Sequence, residues 1–392
     1  MSIPKTTEHL KTRPFWAHGV LALMWLYFFL CAINIMGAGL KTIGKETDWL
    51  QVAIAQGDNP LIALFTAVLI TSIVQSSSFT TSLIITLVAA GELSVGTAIF
   101  AVMGANIGTS ITGLIVSLGA VRIRKQFRRA YATALMHAIP NVLTVLMLFP
   151  LEWATRSLPG SNGHGVLMRI SMWLTELIGF EPGTKPNSPI KAITKPVVEF
   201  VKDIAEWMTS NVTATGVIVA ILGLLILFMA LLGLVSNLRG ALLRRLEGLF
   251  SKVLFRNDFF AWISGIFSTI AVQSSSVTTS LMVPIAGAGV VKLRRVFPFM
   301  LGCNIGTTMT GVIAATANPT AGAVTVAISH VLFNLGDNAI WYPLKIVPIR
   351  LAKWYSGLAS RAPRYALIFL LTIFVICPVV GLFITEVFFY SD

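Results

Sequence analysis

The 392-residue sequence predicts an all-α polytopic membrane protein with an inverted-topology repeat, two re-entrant helical hairpins and interrupted transmembrane helices. Three observations carry that prediction. Charged residues make up 11% of the chain and hydrophobic ones 55%, whereas soluble domains carry about 25% charge. Seven apolar segments each approach the ~20 residues that cross a bilayer core. One composite motif occurs twice, at a constant offset of 198 residues.

The mean hydropathy of +0.81 makes lipid the solvent for most of the chain. The net charge of +13 suggests nucleic acid at first sight, but the bases stand in short runs between apolar segments. Membrane topology and anionic headgroups account for such runs, so nucleic acid is not an expected partner and membrane lipids are. Cys31, Cys303 and Cys377 all lie in apolar stretches without metal-ligand spacing, which indicates neither a zinc site nor a disulfide framework.

The predicted spans are 15–40, 94–118, 127–150, 214–236, 296–316, 323–344 and 365–389. The first exceeds a signal-peptide core and reads as a retained membrane helix. Segments 60–90 and 258–288 are too long for one crossing and too short for two. A polar block breaks each in the middle, Gln75-Ser76-Ser77-Ser78 or Gln273-Ser274-Ser275-Ser276. A hairpin that enters the membrane and returns fits both. The expected organisation is therefore an N-terminal helix with an interfacial segment (1–58), a first repeat (59–150), an extracellular linker (151–213), a connecting helix with a basic segment (214–256), a second repeat (257–344), and a basic loop with the last helix (345–392).

Charge orients the loops. Arg122, Arg124, Lys125, Arg128 and Arg129 should be cytoplasmic, as should Arg239 with Arg244 and Arg245, Lys292 with Arg294 and Arg295, and the bases from Lys345 to Arg364. Segment 151–213 balances its bases with Glu152, Glu176, Glu181, Glu199, Asp203 and Glu206, is rich in Pro and Gly, and belongs outside with the Asn318-Pro319 link. Lys5, Lys11 and Arg13 put the N-terminus inside. Three crossings separate the two Gln-Ser-Ser-Ser blocks. The hairpins should therefore enter from opposite faces, as in secondary transporters.

The repeat pairs Gln75 to Leu83 with Gln273 to Leu281, and Gly104-Ala-Asn-Ile-Gly-Thr with Gly302-Cys-Asn-Ile-Gly-Thr. His137 and Asn141 match His330 and Asn334 at a slightly smaller offset. A serine run at a hairpin tip caps the helix that follows and aims free N–H groups and roughly +0.5 charge at the tip. Two such tips meeting at mid-membrane suit an oxyanion that must be held and released without Lys or Arg. The Gly-x-Asn-Ile-Gly-Thr segments are expected to unwind and expose carbonyls to a small cation, with Thr109, Thr112, Thr307 and Thr310 adding hydroxyls. A single Gly-x-x-x-Gly pair reads more readily as close helix packing. Its duplication beside a doubled serine tip favours a binding site. His137 and His330 are expected to bond a neighbouring helix. Asp337, an acid within a span, is either functional, in contact with water, or paired with Lys345. A serine hydrolase using Ser76 or Ser274 with a histidine lacks the nucleophile elbow and an orienting acid, so the chain is not expected to be an enzyme.

The doubled motif, over residues 59–150 and 257–343, resembles the sodium-dependent phosphate cotransporter type II family. The resemblance implies that Gln75, Ser76, Ser77, Ser78, Gln273, Ser274, Ser275 and Ser276, with Asn106 and Asn304, hold phosphate. It implies a sodium site from Gln273, Ser274, Asn304, Thr307 and Thr310, and a symmetry-related set of Gln75, Asn106, Thr109 and Thr112. Sodium then serves as the coupling ion and no cofactor is expected; a homodimer is compatible with the reading. Electrogenic vertebrate members carry Asp where Ala138 stands here, and segment 151–213 has no cysteine for their extracellular disulfide. With no C-terminal regulatory domain expected either, the resemblance points to a compact bacterial inner-membrane member importing phosphate with sodium. Transport of sulfate or arsenate, proton coupling through Asp337, and an anion channel are the alternatives.

Overall fold

The computed structural model describes residues 15–46, 59–180, 189–249 and 255–390, and all regular structure among them is helical. Among the described residues, seven helical stretches are long and apolar enough to cross a bilayer: Ala17–Ile43, Val95–Leu118, Arg124–Thr155, Val212–Gly233, Leu293–Ala317, Ala321–Trp341 and Arg364–Val387. These coincide with the seven predicted spans. The outer surface is apolar too; of the last span's apolar window only 11% is buried. In water such a surface would aggregate; against lipid tails it carries no penalty. The protein is a multi-pass membrane protein.

In chain order the first half contains α1 (Phe15–Glu46), α2 (Pro60–Val74), α3 (Ser77–Ala90), α4 (Val95–Gly108), α5 (Ile111–Leu118) and α6 (Arg124–Thr155). Next come α7 (Val166–Leu177), α8 (Pro189–Met208) and α9 (Val212–Leu249). The second half contains α10 (Asp258–Val272), α11 (Ser275–Gly287), α12 (Leu293–Ala317) and α13 (Ala321–Trp341), followed by α14 (Ile346–Arg361), α15 (Arg364–Leu371) and α16 (Cys377–Tyr390). Segments 60–90 and 258–288 are helix–break–helix units, α2/α3 and α10/α11, as their lengths and central polar blocks predict.

Sequence sets the helix ends. Asn59 caps α2 by accepting from the Leu61 N–H at 2.9 Å, and Pro60 occupies a first-turn position where no N–H is needed. Asn257 accepts from the Phe260 N–H at 2.8 Å and caps α10 at the corresponding point of the second half.

The paired glycines have a packing role. A Cβ on Gly104 would lie 2.1 Å from the Leu64 carbonyl oxygen on α2, and one on Gly302 would lie 2.1 Å from the Trp262 carbonyl oxygen on α10. Each glycine lets a long helix rest directly on the first arm of its hairpin. This corrects the expectation that both Gly-x-Asn-Ile-Gly-Thr segments unwind. In the first half the helix does break at the motif's last residue, at Thr109 and Ser110, whereas helix α12 runs unbroken through Gly302–Gly311. Close backbone packing favours a regular helix there, because a bulge would collide with the hairpin arm.

The stretch read as a linker is also more ordered than its Pro/Gly content suggests. Helix α8 buries Val201 and Ala205 in a cluster with Cys31 and Ile35 of α1, and Asn34 Nδ2 donates to Thr194 Oγ1 at 3.0 Å. Its apolar face supplies the burial that the composition average hides. Lys5, Lys11, Arg13 and the Glu181–Pro186 stretch lie outside the described residues, as do the side chains of Arg239, Arg244 and Arg245. All three cysteines are free. At the periphery, Gly381 of α16 lies against the Phe65 ring of α2, where an added Cβ would come within 2.2 Å of it.

Candidate functional site

The site is built at the two breaks. Gln75 ends α2 with φ 56° and ψ 30°, and Gln273 ends α10 with φ 56° and ψ 27°. Each N–H still reaches back to its helix, Gln75 to the Thr71 carbonyl and Gln273 to the Thr269 carbonyl, both at 2.7 Å. A left-handed residue followed by an extended one reverses the chain in two steps. The extended residues are Ser76 and Ser274, and each then caps the returning helix, accepting from Phe79 N–H at 3.2 Å and Val277 N–H at 3.3 Å. Left-handed backbone is the province of Gly and sometimes Asn, and costs other residues about 1–2 kcal/mol. Glutamine occupies it at equivalent positions in both halves, so the same strained backbone is held twice against that cost.

The two tips meet. Ser78 Oγ donates to the Gln273 carbonyl oxygen and to Thr310 Oγ1, each at 3.4 Å. Thr310 Oγ1 donates to Gln273 Oε1 at 3.1 Å, while Gln273 Nε2 is held by the Ile270 carbonyl at 2.7 Å, so the amide orientation is fixed. Both tips line one cavity of about 640 Å³, to which Gln75, Ser76, Ser78, Gln273, Ser274 and Ser276 contribute, along with Thr112. Its remaining wall is largely apolar and includes Phe79, Phe228 and Pro284. No lysine or arginine lines it among the described residues. Its positive potential therefore comes from the N-termini of α3 and α11, roughly half a charge each.

The other expected site residues lie away from the cavity wall. Ser77 and Ser275 are buried behind the tips, where their carbonyls accept from Thr81 and Thr279 at 2.8 Å. Asn106 donates back to the Val102 carbonyl at 2.9 Å and Thr307 to the Cys303 carbonyl at 2.9 Å. Thr109 is 3% exposed, and its hydroxyl has no partner.

Asn304 belongs to a buried polar chain. Its Nδ2 donates to Asn141 Oδ1 at 2.6 Å and to Asp337 Oδ2 at 3.4 Å, and its Oδ1 is 2.9 Å from His137 Nε2. Thr144 donates to Asp337 Oδ1 at 2.6 Å and accepts from Trp341 Nε1 at 2.8 Å. The expected helix-to-helix bond of His137 is present; that of His330 is absent, since neither ring nitrogen has a partner. Asp337 is fully buried and neither reaches water nor pairs with Lys345, which instead binds Asp258 at 2.5 Å beside Arg295. Thr144 and Trp341 were missed as site-adjacent residues. The signal existed: Thr144 and Asp337 stand 193 residues apart, the same offset that relates His137 to His330.

Comparison with known proteins follows the same two halves. The family model described as Na+/Pi-cotransporter matches residues 28–159 and 225–358, so that each matched stretch contains one tip and one Gly-x-Asn-Ile-Gly-Thr segment. Sodium-dependent phosphate transport protein 2B of Homo sapiens is 32% identical over 441 residues, spanning 92% of this chain and 64% of that protein. Sodium-dependent phosphate transport protein 2A of Rattus norvegicus is 30% identical over 430 residues, with 91% and 66% covered. The chain thus spans somewhat less than two thirds of the length of the 2B relatives. No solved structure matches it. The two hairpin tips, their shared cavity and a family match on both sides of the central segment lead to one assignment: the chain belongs to the Na+/Pi-cotransporter family.

Proposed function

We propose that the chain is a sodium-coupled symporter that imports inorganic phosphate by alternating access between two opposed hairpins. The observation that carries the reading is the convergence of both Gln-Ser-Ser-Ser tips on one cavity. Phosphate is held there by the hydroxyls of Ser76, Ser78, Ser274 and Ser276 and the free N–H groups at the starts of α3 and α11. Dipoles rather than fixed cations attract the anion, so it is bound without being trapped.

Sodium is taken up beside it. Gln273 Oε1 and Thr310 Oγ1 already stand 3.1 Å apart and supply hard oxygen donors, with Ser274, Asn304 and Thr307 completing the set. Gln75, Asn106, Thr109 and Thr112 form the counterpart in the first repeat. The odd number of spans between the tips makes the two hairpins re-entrant from opposite faces, which gives each side of the membrane its own gate. The names of the relatives, sodium-dependent phosphate transport proteins, support both substrates. Energetics requires a cation: moving a divalent phosphate against 100 mV costs about 4.6 kcal/mol, and two sodium ions cancel it.

Labelled phosphate uptake into proteoliposomes tests the reading. An inward sodium gradient should drive accumulation, and Gln75→Ala and Gln273→Ala should each abolish it in folded protein. Sodium-independent flux would replace the symporter by a channel, and normal uptake in either variant would move the site elsewhere.

A further inference from the structure

The two repeats carry the same polar residues but use them differently. His137 and Asn141 correspond to His330 and Asn334, and Asn304 corresponds to Asn106. In the first set every side chain reaches another helix. His137 Nε2 meets Asn304 Oδ1 at 2.9 Å, linking α6 to α12. Asn304 Nδ2 donates to Asn141 Oδ1 at 2.6 Å, and Asn141 Nδ2 donates to the Asn106 carbonyl at 2.8 Å and to Ser110 Oγ at 3.1 Å.

The counterparts turn back on themselves. Asn106 Nδ2 donates to the Val102 carbonyl of its own helix at 2.9 Å, and Asn334 Nδ2 to the His330 carbonyl of its own helix at 3.0 Å. His330 Nδ1 and Nε2 and Asn334 Oδ1 have no partner among the described residues, although the two residues are 1% and 0% exposed. His330 stands beside α12 of its own repeat, with Nδ1 3.5 Å from the position a Cβ on Gly311 would take. Buried polar groups left unpaired are costly and call for an explanation. Helices α13 and α4, which carry His330 and Asn106, already pack together.

We propose that His137–Asn304 and His330–Asn106 are two copies of one positioning latch, made alternately: the conformation described here closes the first, and the opposite-facing conformation opens it and closes the second. The inference rests on the alternating-access reading above. When two structurally equivalent repeats exchange roles, the bonds one repeat makes in one state are made by the other in the next. Breaking one latch is then offset by forming its twin, which keeps the two states close in free energy. The unpaired atoms of His330 and Asn334 are the open half of that exchange. His137 and His330 act through the asparagines and not by touching the substrate.

The test uses the full chain in proteoliposomes with Cys31, Cys303 and Cys377 replaced by Ala and a reporter, Ile73→Cys. Ile73 lines the cavity and is 78% exposed. The rate of its modification by a membrane-impermeant maleimide reads the population of the conformation described here. In the parent, adding sodium and phosphate should change the rate; no change overturns alternating access itself, whatever the latches do. Given that change, His137→Ala should slow modification and His330→Ala should speed it, each by shifting the equilibrium constant between the two conformations about fivefold, the equivalent of one net hydrogen bond. His137→Phe and His330→Phe preserve bulk, remove the bond, and decide the case where an alanine variant fails to fold. Shifts of the same sign, or no shift in either histidine variant, overturn the proposal, since loss of packing alone gives no sign reversal.

Discussion

Replacing Gln273 by Gly and by Ala separates what its backbone demands from what its side chain does. Both variants lose the 3.1 Å bond from Thr310 and the 2.7 Å bond to the Ile270 carbonyl, so those losses cancel in the comparison. They differ in the left-handed conformation at φ 56° and ψ 27°, which Gly adopts freely and Ala does not. The strain favours Gly by about 1–2 kcal/mol, while the greater freedom of Gly in the unfolded chain returns roughly 0.5–1 kcal/mol. Gln273→Gly should therefore be more stable than Gln273→Ala by on the order of 0.5–1 kcal/mol, where in a helix interior the order is reversed. Thermal unfolding in detergent reads the difference, and sodium-driven phosphate uptake reads function. Both variants should be inactive, so the better-folded one should transport no better. A Gly variant clearly less stable than the Ala variant, or one that transports normally, would refute the argument that glutamine is kept there for its side chain.

Gly302→Leu should unfold the contact between α12 and α10: its Cβ alone would lie 2.1 Å from the Trp262 carbonyl, and overpacking of this kind costs about 1–3 kcal/mol or more. A lower unfolding temperature with loss of uptake is the expected result. Thr144→Val removes a buried hydroxyl bonded to both Asp337 and Trp341 and should destabilise by about 2–4 kcal/mol, because it leaves two buried polar groups short of a partner. Chemical or thermal unfolding checks this, and a neutral effect would mean that water replaces the hydroxyl. Ala138 is fully buried where the family resemblance implies Asp in electrogenic members, so on the proposed symport phosphate uptake should proceed without a matching current. Membrane current proportional to uptake would contradict it.

The spans and the two helix breaks were legible because burial in lipid imposes length and apolarity on every crossing segment, and two polar blocks of four residues interrupt that pattern unmistakably. The duplicated glutamines and serines announced the tips, and these line one cavity. What the residues around Asn106 and Asn304 do was not legible in the same way. A glycine that loosens a helix and a glycine that admits a neighbouring backbone look alike in sequence; only the nearness of the Leu64 and Trp262 carbonyls separates them. Asp337 illustrates a second limit. Its partners Thr144 and Asn304 are distant in sequence, whereas the nearby base, Lys345, is engaged by Asp258. Amphipathic α8 was hidden for a third reason: prolines and glycines at its margins dominate the local composition, while the helix itself has an apolar face.

The contact between Gly381 and Phe65 ties the first hairpin to a helix that is otherwise almost wholly bathed in lipid. A tilt of that helix, of the kind a thinner or thicker bilayer imposes, is delivered directly to α2, the arm that ends at Gln75. The bilayer therefore has a mechanical handle on α2 through α16, and membrane thickness becomes a variable that bears on the chain break at Gln75.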